Sequence, residues 1–317
     1  MAYAFVFPGQ GVQEVGMGKD FYDEFSVSRD VFLRVDEALG FPLSKIIFEG
    51  PEEELTKTEY AQPAILTVSI AAFEALKAMS EDLGPSFVAG HSLGEYTALV
   101  ASEALKLEDG VRLVNIRGKL MQQAVPLGVG AMAAIIGLDK EAVEELCQFV
   151  STAECICEPV NYNSPQQIVV SGHAEAVKRV AELAKERGAR RALMLNVSAP
   201  FHSSLMRPVA EGLAEAFKSC EWRRPKWPVV ANVNAKPLES VEEIQNALLL
   251  QSYNPVLWTQ SVVFMKSSSV DAFLEIGPGN VLAGLIKKTI KDAKVYSLDC
   301  SDKLKEALDF IGGAKVE

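Results

Sequence analysis

The sequence predicts an α/β protein with a large domain on a mainly parallel sheet and an inserted small domain of ferredoxin-like βαββαβ order. Three observations carry this. An apolar run, Ser86-Phe87-Val88-Ala89, leads into Gly90-His91-Ser92-Leu93-Gly94 and then into Glu95 to Ala101, whose small and apolar residues suit a helix. Strand, tight turn and helix form the unit from which parallel sheets are built. Between Gly130 and Val197 the pattern runs strand, helix, two strands, helix, strand. From Pro228 to Leu298 strands and helices alternate again.

Composition sets the outer bounds. A chain of 317 residues with 49% hydrophobic and 23% charged residues has the makeup of a packed globular enzyme. Its net charge of −11 argues against a general binder of nucleic acid or anionic membrane. Five cysteines without a recurring spacing fit a reducing compartment better than a disulfide framework. Cys155 and Cys157 are the only close pair, and no second pair or nearby His completes a metal set. No metal site is expected.

In chain order, Met1 to Gly9 lacks a basic leader region, its apolar run is too short to span a membrane, and it reads as a buried strand. Pro8-Gly9-Gln10-Gly11 then turns. Glycines on either side of Gln10 leave room for a ligand to approach the backbone, although a plain surface turn reads the same way. Phe21, Phe25, Phe32, Val35 and Leu39 predict a helix over Asp20–Gly40. Gln62 to Met79 predicts a largely apolar helix buried against the sheet.

Ser92 between two glycines at a strand-to-helix turn has the pattern of a nucleophile elbow. A Cβ at either glycine would collide with the neighbouring strand or helix, and the helix N-terminus offers free N–H groups to an oxyanion. A structural glycine-rich turn is the alternative. On a helix from Leu107 to Gln123, the neighbours of Arg117 at three and four positions are Leu113, Val114, Leu120 and Met121, all apolar. Arg117 therefore points into the core side, where a guanidinium must meet an anion. That anion is an internal Asp or Glu, or a substrate carboxylate held by a bidentate clamp.

The small domain reads as a strand over Gly130–Leu138, a helix over Lys140–Val150 and strands over Cys157–Tyr162 and Gln167–Ser171. A helix over His173–Glu186 and a strand over Ala192–Val197 complete it. The large domain is then discontinuous, 1–127 and 198–317, around a small domain of 128–197. Only His91, His173 and His202 are available to serve Ser92. His91 adjoins Ser92 on the turn and should diverge from its hydroxyl. His173 opens a solvated, charged helix. His202 follows a strand end and Pro200 where the chain re-enters the large domain, the place for a general base, or else for a histidine capping the next helix. Further on come a strand over Pro228–Val233, a helix capped by Asn254-Pro255 and running to Lys266, a strand over Ala272–Ile276, a helix over Val281–Ile290 and a strand over Val295–Leu298. Gly277-Pro278-Gly279 lacks the rest of a dinucleotide fingerprint and reads as a turn.

Phe7-Pro8-Gly9-Gln10-Gly11, Gly90-His91-Ser92-Leu93-Gly94-Glu95-Tyr96, Ile116-Arg117-Gly118, Pro200-Phe201-His202-Ser203 and Gln251-Ser252-Tyr253-Asn254-Pro255-Val256-Leu257-Trp258 occur in this order across nearly the whole chain. Together they resemble the malonyl-CoA:acyl carrier protein transacylases of fatty acid and polyketide synthesis. The resemblance implies an α/β-hydrolase-like large domain with a ferredoxin-like insertion. It implies Ser92 as nucleophile, His202 as base, the backbone N–H groups of Gln10 and Leu93 as oxyanion hole, and Arg117 as holder of the malonyl carboxylate. The partner of His202 would be the backbone carbonyl of Gln251. Leu93 and Phe201 match malonyl-selective members.

By the same resemblance the partners would be malonyl-CoA and acyl carrier protein, with no nucleic acid and no membrane. CoA and phosphopantetheine would enter only as parts of substrates, with no separate cofactor, in a cytoplasmic monomer. Two other classes share these residues: a serine thioesterase or hydrolase, and a catalytically silent docking subunit. Retained Ser92, His202 and Arg117 argue against the second.

Overall fold

The structure is a computed structural model and describes residues 1–80, 82–197 and 199–312. It opens with β1 (Tyr3–Phe7), buried along its whole length. The expected helix over Asp20–Gly40 is in fact two, α1 (Lys19–Glu24) and α2 (Ser26–Leu39), broken at Phe25, whose backbone is extended. The break turns the chain so that the rings of Tyr22 and Phe32 meet edge-on with 5.5 Å between centroids. An unbroken helix, rising 1.5 Å per residue, would hold them about 15 Å apart. Two short helices that periodicity did not announce follow, α3 (Leu43–Glu49) and α4 (Glu52–Leu55). The apolar helix α5 (Thr58–Met79) starts four residues before its expected beginning and packs Phe73 edge-on against Phe5 and Phe7 of β1. Next come β2 (Phe87–Gly90), α6 (Leu93–Ala101) and α7 (Leu107–Gln123), as the sequence predicts.

Six elements then form a second sheet and its helices: β3 (Gly130–Ile136), α8 (Lys140–Val150), β4 (Cys157–Ser164), β5 (Gln167–His173), α9 (Ala174–Glu186) and β6 (Arg191–Met194). The strands are antiparallel in the order β4-β5-β3-β6, the ferredoxin-like arrangement. Ile135, Val143, Leu146, Val170, Val177 and Val180 belong to a core of their own between the sheet and its helices. Several boundaries differ from expectation: β3 stops two residues early, at Ile136, and β5 runs two residues further, to His173. Irregular register against β5 lets β4 run on through Asn163 to Ser164, and β6 ends at Met194, so that Leu195 to Val197 leave the sheet.

The chain returns through α10 (Arg207–Phe217), β7 (Val229–Val230), β8 (Pro237–Leu238), α11 (Val241–Gln251), α12 (Trp258–Ser267), β9 (Ala272–Ile276), α13 (Val281–Thr289), β10 (Lys294–Leu298) and α14 (Leu304–Gly312). Asn254-Pro255 does not cap α12, which begins only at Trp258. Instead Asn254 Nδ2 donates back to the Leu250 carbonyl at 2.8 Å and closes α11.

The large sheet has the order β10-β9-β1-β2-β7-β8, parallel throughout except for the edge strand β8. Phe7 of β1 stands in register with Gly90 of β2. The loops after both strands, and the one after β7, therefore emerge at the same edge, where parallel sheets carry their sites. The whole is an α/β-hydrolase-like fold with a ferredoxin-like insertion.

Candidate active site

Ser92 stands at the turn between β2 and α6 with φ 53° and ψ −108°, a strained conformation for a residue with a side chain. The flanking glycines are required by contact. A Cβ on Gly90 would lie 1.9 Å from the Gly94 carbonyl oxygen, and one on Gly94 would lie 2.2 Å from the Phe7 carbonyl oxygen. A Cβ on Gly9 would lie 2.6 Å from the His91 carbonyl oxygen, so the loop bearing Gln10 rests directly on the turn. Gln10 and Leu93 both line the cavity in front of Ser92. Neither backbone N–H joins a turn or loop bond to another backbone group among the described residues.

His202 is buried and, like Ser92, has a positive φ, 63°. Its Nε2 lies 2.7 Å from Ser92 Oγ and its Nδ1 lies 2.7 Å from the Gln251 carbonyl oxygen. A carbonyl only accepts, so Nδ1 carries the proton and Nε2 turns its lone pair to the hydroxyl. Gln251 is the last residue of α11, where carbonyls lack intrahelical partners and carry the negative end of the helix dipole. That carbonyl stands where a carboxylate stands in a Ser-His-Asp triad. Burial, reinforced by the nearby Arg117 charge, pushes His202 down to about 3, so the ring is neutral at neutral pH.

Neither of the other two histidines bonds the Ser92 hydroxyl, although His91 lines the same cavity. His91 turns away from the hydroxyl, bonds through Nε2 to Asn163 Oδ1 at 2.7 Å and packs against Trp258. His173 accepts from the Ile156 N–H within the small sheet.

Arg117 reaches the same place from α7. A Cβ on Gly118 would lie 2.6 Å from the Thr58 carbonyl oxygen, so α7 packs backbone to backbone on the start of α5. Arg117 as a whole is only 1% exposed. It donates to Gln62 Oε1 at 2.7 Å, to Gln251 Oε1 at 2.9 Å and to Ser92 Oγ at 3.1 Å, all neutral groups, and its Nε has no partner among the described residues. It also faces the Tyr96 ring at 5.5 Å. Of the two anions open to Arg117, an internal carboxylate is not among its hydrogen-bond partners. A fixed positive charge sits beside the hydroxyl with part of its fork uncommitted.

Sequence reasoning missed the residues that hold this cluster. Asn232, just beyond β7, accepts from the Ser92 N–H at 2.7 Å and donates to the Gly90 carbonyl at 2.7 Å, tying together both sides of the turn. Glu95 accepts from the Asn232 N–H at 3.1 Å and from Gln251 Nε2 at 2.7 Å, and burial pushes its carboxyl up to about 7. A lone acid in the otherwise apolar run after Ser92, and a glutamine on a largely apolar helix, were visible signals for Glu95 and Gln62. Nothing local pointed to Asn232.

The cavity holds about 210 Å³, with Met121, Met132, Val169, Leu195 and Phe201 as its apolar wall. It shares Gln10, Thr56, Asn196 and Val197 with an open vestibule of about 530 Å³. A groove of about 520 Å³ beside α2 and α5 contains neither Ser92 nor a histidine and carries no comparable chemistry. Among the described residues no cluster of His, Cys, Asp or Glu could hold a metal ion, and no helix is long and apolar enough to cross a membrane.

The model of the acyl transferase domain family matches residues 4–305. The malonyl CoA-acyl carrier protein transacylase of Bacillus subtilis (strain 168) is 45% identical over 305 residues, 96% of each chain. That of Staphylococcus aureus (strain MRSA252) is 44% identical over 302 residues, 95% of this chain and 97% of its own. Among solved structures, the acyl-carrier-protein-S-malonyltransferase of Bartonella henselae superposes with a TM-score of 0.95 at 43% identity, covering 98% of this chain and 100% of that one. A malonyl-transacylase solved in complex with a type II PKS acyl-carrier protein superposes with a TM-score of 0.94 at 44% identity, covering 98% and 99%. With a family model spanning nearly the whole chain and such relatives matched end to end, this chain belongs to the acyl transferase family and, within it, to the malonyl CoA-acyl carrier protein transacylases.

Proposed function

We propose that this protein moves a malonyl group from malonyl-CoA to the phosphopantetheine thiol of acyl carrier protein, through a malonyl ester on Ser92. The observation that carries the reading is a neutral His202 bonded to Ser92 Oγ, with the Arg117 guanidinium beside the same oxygen and partnered only by neutral groups. The relatives' activities support it over a serine thioesterase, which would use the same Ser and His.

Ser92 Oγ attacks the thioester carbonyl while His202 Nε2 takes the hydroxyl proton. The backbone N–H groups of Gln10 and Leu93 hold the oxyanion, and the Gln251 carbonyl steadies the imidazolium through Nδ1–H. Collapse expels CoA, which leaves with the proton from His202. The thiol of the carrier's arm then reverses these steps in ping-pong fashion. Arg117 pairs with the distal carboxylate of the malonyl group, so that recognition and chemistry share one side chain. Phe201 and Leu93 narrow the space around the acyl group. The vestibule past Gln10 and Asn196 offers the pantetheine arm its route.

The same proposal includes the division into 1–127 with 198–317 and 128–197, supported by the separate core of the second sheet. The limit at 198 and the tail 313–317 lie outside the described residues. It also includes work in the cytoplasm with no cofactor beyond the substrates. Intact-mass measurement after mixing with malonyl-CoA and no acceptor tests the reading. A persistent malonyl adduct that holo carrier protein discharges is expected, whereas steady release of CoA with no adduct would make the protein a hydrolase.

A further inference from the structure

Glu95 is fully buried at the third position of α6, and the proposed reaction assigns it no step. Its Oε2 accepts from the Asn232 N–H and from Gln251 Nε2, while its Oε1 has no partner among the described residues. An acid so placed is costly unless it does something a neutral residue would not.

Its partner Gln251 shows what that is. The two ends of a carboxamide are nearly the same shape, so the direction in which it points is set by what each end meets. Here Nε2 meets two obligatory acceptors, the Ser92 carbonyl at 2.8 Å and Glu95 Oε2 at 2.7 Å. Oε1 meets an obligatory donor, Arg117 Nη2, at 2.9 Å. A reversed amide would set its NH₂ against the guanidinium and its oxygen against two acceptors. The bond to Glu95 is the charge-assisted one whenever the acid is ionised. Spacing matters as well, because a carboxylate bonded directly to Arg117 would fill the fork that a substrate carboxylate needs. Set one amide away, Glu95 orients Arg117 through Gln251 and leaves the guanidinium bonded only to neutral groups, which a substrate carboxylate can displace.

We propose that Glu95 is a positioning residue for acyl-group choice: by anchoring the Gln251 carboxamide it holds Arg117 toward Ser92 with no protein carboxylate on the guanidinium, so that a substrate carboxylate meets only neutral groups to displace. The inference rests on the reading of Arg117 as carboxylate holder.

The test compares rates of acyl-enzyme formation from malonyl-CoA and acetyl-CoA, by rapid quench and intact mass, in the wild type, Glu95→Gln, Arg117→Ala and the double variant. Glu95→Gln is expected to lower the malonyl-to-acetyl rate ratio about tenfold, and to change it no further once Arg117 is gone. An equal fall in both rates, or an undiminished effect of Glu95→Gln on the ratio in the Arg117→Ala background, overturns the proposal. Should Glu95→Gln lose its cooperative unfolding transition, Glu95→Asp replaces it. That variant keeps the acid but withdraws it by one methylene, and an unchanged ratio there overturns the proposal equally. If Arg117→Ala by itself leaves the ratio unchanged, the carboxylate-holder reading fails and takes this inference with it. A changed ratio in Arg117→Ala with an unchanged one in Glu95→Gln removes only the role of Glu95.

Discussion

The parallel sheet and the antiparallel insertion make unequal contributions to one cavity. From the large domain come Ser92, Arg117 and His202, held by hydrogen bonds to Asn232 and Gln251 behind them, with Gln10 lining the same cavity. The insertion supplies Met132, Val169 and Leu195 as apolar wall and, among its polar contacts, a clasp of Asn163 to His91. Strands that end together in register concentrate loop ends and helix termini at one edge, where backbone groups are free to act on a substrate. An antiparallel sheet pairs its backbone internally and has mainly side-chain surface to offer. Chemistry should therefore fail when the first region is altered, and shape or stability when the second is.

The largest effect is expected from Ser92→Ala, which should abolish the acyl-enzyme. A malonyl adduct mapped by peptide mass to any other residue would break the comparison at its root. Next, His202→Ala should slow transfer by about two to four orders of magnitude, while His173→Ala in the insertion should leave it nearly unchanged. The reverse result would move the base into the other region.

Arg117→Ala should cost malonyl transfer roughly 2–5 kcal/mol by leaving a buried carboxylate unpaired. Acetyl transfer, having no carboxylate to lose, should be spared, and Arg117→Lys should fall between because an ammonium lacks the planar fork. Parallel loss of both activities with a lowered melting temperature would make Arg117 a structural residue.

A pH experiment sharpens the burial of His202. Its folded value of about 3 lies below the ordinary 6.5. Between the two the unfolded chain binds a proton that the folded chain refuses, so this group's contribution to stability is present above about 6.5 and is lost as pH falls toward 3. His202→Gln should flatten denaturant-measured stability over that window by up to about 1.4 kcal/mol per pH unit. An unchanged slope would mean that the ring is not held neutral.

The smallest effect belongs to the clasp between the regions. Asn163→Ala should remove the partner of His91 and lower stability by about 1–3 kcal/mol. Acylation should slow only a few-fold, and a loss approaching that of His202→Ala would show the insertion taking part in the chemistry.

Local pattern determined a good deal by itself. The alternation of strand and helix, the βαββαβ insertion, the glycine-flanked turn at Ser92 and the inward face of Arg117 all depend on spacing within a few residues, which the chain displays directly. The capping box at Ser240 and Glu243, which starts α11, was equally local and went unread. Other features had no local signature. The break at Phe25 exists because Tyr22 and Phe32 pack together, and the true role of Asn254 depends on where α11 ends. Only the tertiary structure set Asn232 against Ser92, 140 residues away in the chain, and the Gln251 side chain against Arg117, whereas the Gln251 carbonyl beside His202 was already implied by the family resemblance. It also left Arg117 hydrogen-bonded only to neutral groups, which its spacing on the helix could not show. The physical reason is that a buried polar group is satisfied by whatever donor or acceptor the packing of distant elements brings within about 3 Å. Periodicity tells which way a side chain points, and it carries no record of what waits there.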